Sequence, residues 1–399
     1  MRMAGYSGMS GSLQRHIAGH LREIPKSGIR DFFELVQGRK DVISLGVGEP
    51  DFSTPWHIRE AAIYSLERGE TSYTSNLGLL VLREEIARYV EDKFSVAYDP
   101  RSEILVTVGV SEALDVAFRV LLNPGDEVLY HEPCYVSYHP GALMAYGRPV
   151  AVSTQVEDCF ALRAEAVRAK ISERTRVLVL NFPTNPTGAV EPPEELEAIA
   201  RIACEHDLIV ITDEIYSELI YGPDRRHLCI ASLPGMRERT ILLHGFSKAF
   251  AMTGFRLGYA CAPAELTDAM MKIHQYSMLC APITSQVAAR EALQHGSATM
   301  EQMRQTYEQR RNLLLTRFAK MGIPCFPPGG AFYAFPDIRS TGLTSRDFAV
   351  RLLEEEDVAV VPGDAFGPSG EGFLRCCYAT ATDQLRTALD RIAQFCSRL

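Results

Sequence analysis

TRVLVLNFPTNPTGAVEPPEELEAIARIACEHDLIVITDEIY, residues 175–216, holds a complete unit of secondary structure. TRVLVLNF (175–182) is a short run rich in Val and Leu, closed by Pro, Asn and Gly. PPEELEAIARIACEHD (192–207) opens with prolines and acids, as a helix N-terminus does. LIVIT (208–212) is a second oily run. Strand, helix and strand in this order predict a mostly parallel sheet covered by helices on both faces. The stretch also poses a question: why should an apolar strand end in two acids, Asp213 and Glu214?

The same alternation extends outward. EILVTV (103–108), DEVLYH (126–131), RPVAVS (148–153), TILLH (240–244) and LGYACA (257–262) read as further strands. SEALDVAFRVLL (111–122) and PAELTDAMMKIHQY (263–276) read as helices between them. After about residue 285 the pattern changes. Helices are expected around SQVAAREALQHG (285–296), ATMEQMRQTYEQRRNLLLTRFAKMG (298–322) and SRDFAVRLLEEED (345–357). Strands are expected at VAVVPG (358–363) and GFLRCCYA (372–379), and a helix ends the chain.

The fold class is therefore α/β: a large domain with a seven-stranded, mostly parallel, helix-covered sheet, plus a smaller α+β domain. The expected division is 1–48 as a segment packing with the small domain, 49–284 as the large domain and 285–399 as the small one. No repeat, low-complexity tract or long linker interrupts it.

The 399 residues are 46% hydrophobic and 23% charged, enough apolar material for a large core. A net charge of −9 argues against a nucleic-acid binder, which carries a basic face. It leaves room for a local basic pocket. The ten cysteines form no C-x-x-C. They are expected to be buried or half-buried thiols in a reducing compartment. No apolar run approaches the ~18 residues that span a bilayer, and residues 1–28 lack a signal-peptide core. The chain is expected to be cytoplasmic, without nucleic acid or membrane as partners.

In open parallel sheets, ligands bind beyond the carboxyl ends of the strands. EILVTV is followed by Gly109, Val110 and Ser111, which open a helix, and DEVLYH by Tyr135. TRVLVLNF runs into PTNPTG with Asn185; LIVIT runs into Asp213, with Tyr216 three residues on. TILLH runs into GFSK, with Ser247 and Lys248, and Arg256 follows eight residues later. Each has a plain structural use. Asn185 can shape a turn, Asp213 can cap a helix, and Lys248 and Arg256 can be solvated charges. Independent caps and turns need not converge on one sheet edge, as these residues are expected to do.

The set fits one ligand well. A helix N-terminus at 110–111, with Ser247 and Arg256, suits a phosphate. Asp213 suits a protonated ring nitrogen, Tyr135 a flat ring face, and a desolvated Lys248 suits a nucleophile. Pyridoxal phosphate has all the matching parts, and its enzymes use a lysine Schiff base with an aspartate at the pyridinium.

On these residues the chain resembles the class I aminotransferases of the pyridoxal-phosphate fold type I group, above all the prokaryotic aspartate and aromatic aminotransferase subgroup. The matching pieces are SLGVGEPDFSTP, TSYTSNLGLLVLREEIA, NFPTNPTGAV, TDEIYSELIY, GFSKAFAMTGFRLGY and FLRCCYAT. They run in the family's order and cover nearly the whole chain from about residue 27. Two positions depart from it: Phe255 stands where Trp is common, and RCCYAT replaces the commoner RISYAT.

The resemblance implies a role for each residue. Lys248 forms the Schiff base and moves protons, Asp213 pairs with the ring nitrogen, and Tyr216 and Asn185 bond the phenolic oxygen. Tyr135 stacks on the ring. Val110, Ser111, Ser247 and Arg256 hold the phosphate. Arg375 clamps the substrate α-carboxylate, helped by Asn185 and the backbone near Gly48. Tyr73 is similar to a tyrosine that reaches the neighbouring subunit's phosphate, which implies a homodimer with shared active sites.

The implied activity is transfer of the amino group of an aromatic or aspartate-like L-amino acid to a 2-oxo acid such as 2-oxoglutarate, by a ping-pong route. IPKSGIRDFF (24–33), with Lys26, Ile29 and Arg30, is expected to line the side-chain pocket. Glu214 is expected to be a solvated or capping acid. Two alternatives share the fold: a C–S β-lyase, and a non-catalytic regulator, which would carry an added DNA-binding domain. A nucleotide site is disfavoured, because no G-x-x-x-x-G-K-[ST] is present and GVGEPD lacks the dinucleotide pattern.

Overall fold

The computed structural model describes residues 41–222 and 227–399, and before them Leu13, residues 16–22, Ile24, Gly28 and Arg39. The strands in chain order are β1 (Ile43–Ser44), β2 (Ile104–Thr107), β3 (Glu127–Glu132), β4 (Arg148–Ser153), β5 (Thr175–Leu180) and β6 (Ile209–Asp213), then β7 (Thr240–Gly245), β8 (Gly258–Cys261), β9 (Tyr333–Ala334), β10 (Val358–Ala359), β11 (Val361–Pro362) and β12 (Leu374–Cys377).

All seven runs expected in the large sheet form, as β2 to β8, in the order β2-β8-β7-β6-β5-β3-β4. Neighbours from β4 to β7 pair in parallel. β8 is antiparallel to both β2 and β7, so β2 runs with the parallel set.

The opening stretch folds as its composition requires. β5 and β6 pair in parallel, Val177 opposite Ile209. The helix Pro193–Glu205 connects them, with Pro193 in its first turn beside Glu194 and Glu195. Side chains alternate across the strands. Val177, Val179 and Ile211 pack with the helices Gly109–Leu121 and Ala264–Ser277 on one face. Leu178, Leu180 and Val210 pack with Ala164–Lys170 and Pro193–Glu205 on the other. Two covered faces explain why these strands read as unbroken apolar runs.

The C-terminal part builds a three-stranded antiparallel sheet, β11-β12-β9. The helices Ser297–Met321, Ser345–Glu356 and Thr382–Cys396 share a core with it. β1 pairs in parallel with β10, Ile43 opposite Val358, which ties the segment before Gly48 to this part. VAVVPG is split at Val360 into two short strands in different sheets.

One helix takes a different side from that expected. Ile283–His295, mostly inside the expected 285–399 unit, buries Ala288, Ala289 and Ala292 with Ile58, Leu82 and Ile86 from the opposite end of the chain. Its small residues let it lie close to the helices Trp56–Glu67 and Leu80–Phe94. The ten cysteines are all unpaired, but Cys159 and Cys204 are exposed rather than buried. Among the described residues, no helix is long and apolar enough to cross a membrane.

Candidate active site

The parallel strands all end at one edge of the sheet, and β8, running the other way, begins there. Arg256, two residues before β8, thus comes to the edge where β2, β3, β5, β6 and β7 deliver their following loops. A cavity of about 950 Å³ opens at this edge. Gly48, Val110, Ser111, Tyr135, Asn185, Asp213, Tyr216, Ser247, Lys248, Arg256 and Arg375 all line it. Of the residues singled out from the sequence, Tyr73 does not line it; its side chain is 83% exposed. Gly28 lines the cavity too, while Lys26, Ile29 and Arg30 lie outside the described residues.

Asp213, the last residue of β6, is buried. Its Oδ2 accepts a hydrogen bond from the Tyr138 hydroxyl at 2.8 Å, and its Oδ1 accepts one from the Ile215 amide at 3.2 Å. Burial nevertheless pushes the carboxyl from its ordinary 3.8 up to about 6, against the pull of those two donors. The folded chain therefore holds this proton more tightly than the unfolded chain. Asp213 lowers stability as pH rises from about 4 to about 6, and its full cost is present above that range.

Two pKa units correspond to about 3 kcal/mol. Asp213→Asn is accordingly expected to raise the stability of the cofactor-free protein at pH 7 by about 1–3 kcal/mol, with little gain at pH 4. Denaturant melts at the two pH values measure this. An equal gain at both would assign it to packing instead of charge.

Lys248 faces the same cavity. Its Nζ donates to the Gly48 carbonyl at 2.7 Å, and burial pushes the ammonium from 10.5 down to about 8. Arg375, on β12, is 2% exposed. Its Nη1 donates to Asn185 Oδ1 at 2.9 Å and its Nη2 to the Gly46 carbonyl at 2.6 Å. The rings of Tyr333 and Phe366 lie 4.6 and 4.8 Å from the guanidinium. Its buried Nε has no protein partner. A desolvated guanidinium with an unused N–H suits an incoming carboxylate.

At the far side, the helix Gly109–Leu121 opens on the cavity with the Val110 and Ser111 amides in its first turn. Gly109 has φ +74°, and a Cβ there would sit 2.8 Å from Arg256 Nη2. The glycine thus allows the guanidinium to lie close to the helix start, where the helix dipole and the cation both favour an anion.

The structure adds two residues that the sequence reading missed. Tyr138 opens the short helix Tyr138–Met144 and reaches Asp213. Tyr333 comes from β9, and its hydroxyl lies 2.8 Å from that of Tyr216. Tyr138 could have been found from its place three residues after Tyr135; Tyr333 carried no such signal.

Glu214 is corrected. It is 2% exposed, not solvated and not a helix cap. Thr212 Oγ1 donates to its Oε1 at 2.7 Å, and His227 Nε2 pairs with its Oε2. Asp213 and Glu214 thus diverge: Asp213 lines the cavity, and Glu214 bonds Thr212 and His227 away from it.

Comparison with known proteins agrees with this geometry. The family described as "Aminotransferase class I and II" matches residues 40–392. The chain is 47% identical to the aspartate aminotransferase of Pyrococcus abyssi, over 92% of this chain and 94% of that one. It is 43% identical to the aromatic-amino-acid aminotransferase 2 of Thermococcus litoralis, over 94% and 97%. The solved aromatic aminotransferase from Pyrococcus horikoshii superposes with a TM-score of 0.88 at 46% identity, covering 93% of this chain and 99% of that one. With the family match running from residue 40 to residue 392, the chain belongs to the class I and II aminotransferases.

Proposed function

We propose that this aminotransferase moves the α-amino group of an aromatic or aspartate-like L-amino acid to a 2-oxo acid such as 2-oxoglutarate. The observation that carries this reading is the placement of Arg375: a buried guanidinium with an unused N–H, in one cavity with Lys248 and Asp213. The names of the Pyrococcus abyssi and Thermococcus litoralis relatives support acidic and aromatic donors.

The cavity fits pyridoxal phosphate, the cofactor of this family. Asp213 is a desolvated carboxyl in want of a cation, and a helix start backed by Arg256 awaits an anion. When bound, the cofactor supplies an electron-accepting ring that lowers the cost of breaking a bond at the substrate Cα. Asp213 would stand as a firm anion toward the ring nitrogen and keep its proton in place. Tyr216 and Asn185 would bond the phenolic oxygen, and Tyr135 would pack against the ring. Ser111, Ser247, Arg256 and the Val110 amide would hold the phosphate. Arg375 takes the α-carboxylate and orients the Cα–H bond. Lys248 Nζ, with an amine neutral in good part near pH 8, removes the Cα proton.

Gly258 guards the phosphate end. A Cβ there would lie 2.6 Å from the Val110 nitrogen and 2.7 Å from the Gly109 carbonyl carbon. Both atoms belong to one peptide unit, and backbone at the helix start has little room to yield. Gly258→Ala is expected to cost about 1–3 kcal/mol of stability and to weaken cofactor binding by shifting the helix start. Fluorescence titration of the cofactor gives the second effect, and an unchanged Kd would separate β8 from the cradle.

The reading includes a homodimer in which Tyr73 reaches the phosphate of the neighbouring subunit. Thr74 accepts from Gln286 at 3.0 Å and Asn76 donates to the Leu279 carbonyl at 2.7 Å, which anchors the segment beside the exposed Tyr73. A single-chain mass by sedimentation would end that part. The unpaired cysteines support a reducing, cytoplasmic setting.

Borohydride reduction of the loaded enzyme should fix the cofactor to Lys248, found by peptide mass. Label elsewhere would overturn the assignment. Release of pyruvate and ammonia with no acceptor present would replace transfer by elimination.

A further inference from the structure

We propose that Tyr333 is a positioning residue acting through Tyr216: its hydroxyl donates to the Tyr216 hydroxyl, freeing the Tyr216 proton for the cofactor's phenolic oxygen. The proposal rests on the reading that Tyr216 bonds that oxygen.

The argument is a count of protons. The two hydroxyls lie 2.8 Å apart, both buried, and the distance alone allows either to donate. A phenol carries one proton. If Tyr216 gives its proton to the cofactor, the bond between the tyrosines survives only with Tyr333 as donor. Burial raises both phenols well above their ordinary value, so each keeps its proton at working pH.

Tyr333 is also unable to turn away. Its backbone pairs with Cys377 in the C-terminal sheet. Its ring lies under the Arg375 guanidinium and edge-on to Tyr216, with centroids 5.7 Å apart and planes at 78°. Its hydroxyl abuts Gly48, where a Cβ would approach to 2.5 Å. The glycine whose carbonyl accepts from Lys248 therefore also leaves space for this hydroxyl.

Hydrogen bonds in a chain polarise one another, so a Tyr216 that accepts from Tyr333 is a stronger donor. A stronger donor favours the ionised phenolic oxygen and lowers the pH at which the lysine-bound chromophore loses its proton. The same ring packs against the Arg375 guanidinium, so one residue touches both the carboxylate clamp and Tyr216.

The test is a spectrophotometric pH titration of the holoenzyme in the native form and as Tyr216→Phe, Tyr333→Phe and the double variant. Tyr333→Phe keeps the ring under Arg375 and removes only the hydroxyl. It is expected to raise the midpoint by about 0.3–1 pH unit and leave substrate KM near its native value. Tyr216→Phe should raise the midpoint further, and the double variant should match Tyr216→Phe alone.

A shift in Tyr216→Phe with none in Tyr333→Phe overturns the relay and leaves the Tyr216 role standing. Additive shifts overturn it too, since Tyr333 would then act by another path. No shift in Tyr216→Phe removes both readings.

Discussion

Lys248→Ala is expected to lower kcat by roughly 10⁴-fold, the upper range for a positioned acid–base group. The loss should come with no borohydride-trapped cofactor at this position. Burial holds the Lys248 amine near pH 8, so the native side chain offers a neutral amine at a pH where a solvated lysine offers almost none. A small primary amine added to the variant should restore part of the rate, in proportion to its unprotonated fraction. Single-turnover kinetics across pH measure both effects. A variant as fast as the native enzyme would take Lys248 out of the proton transfer.

Arg375→Ala should cost the next largest amount. The substitution removes a buried cation and leaves Asn185 Oδ1 and the Gly46 carbonyl without their donor. Truncating one partner of a buried charged contact costs about 2–5 kcal/mol, or roughly 30- to 4000-fold in kcat/KM. Arg375→Lys should recover little, because an ammonium cannot match the planar fork. The control is an amine donor without an α-carboxylate, whose slow turnover should be the same in variant and native enzymes. An equal loss for both donors would mean that the clamp had merely held the fold together.

The large sheet was legible because of its burial. Strands covered on both faces must be apolar throughout, and the turn residues after them mark where a ligand can sit. That is how Asp213, Asn185 and Lys248 could be found from the strands they follow. In the C-terminal sheet β11 and β12 were legible in VAVVPG and GFLRCCYA, but β9 was not. β9, like β11, is two residues long, too short for any periodicity.

Tyr333 sits on one of those short strands, 117 positions from its hydroxyl partner, and no local pattern spans such a gap. Glu214 was misread for a related reason. A buried acid needs a partner, and His227 lies 13 positions further along the chain. The allegiance of the helix Ile283–His295 depends on which surface its alanines meet, which sequence order does not state. Tyr73 does not line the cavity of its own chain and is exposed.

The rings of Tyr333 and Phe366 both pack against the buried Arg375 guanidinium. Dissolved salt screens exposed charges over about 10 Å at 0.1 M, but a guanidinium that is 2% exposed is screened much less. Raising the ionic strength should slow the arrival of an anion at the mouth far more than it loosens one already seated. Brine would change the association rate of such a ligand and leave its dissociation rate nearly constant.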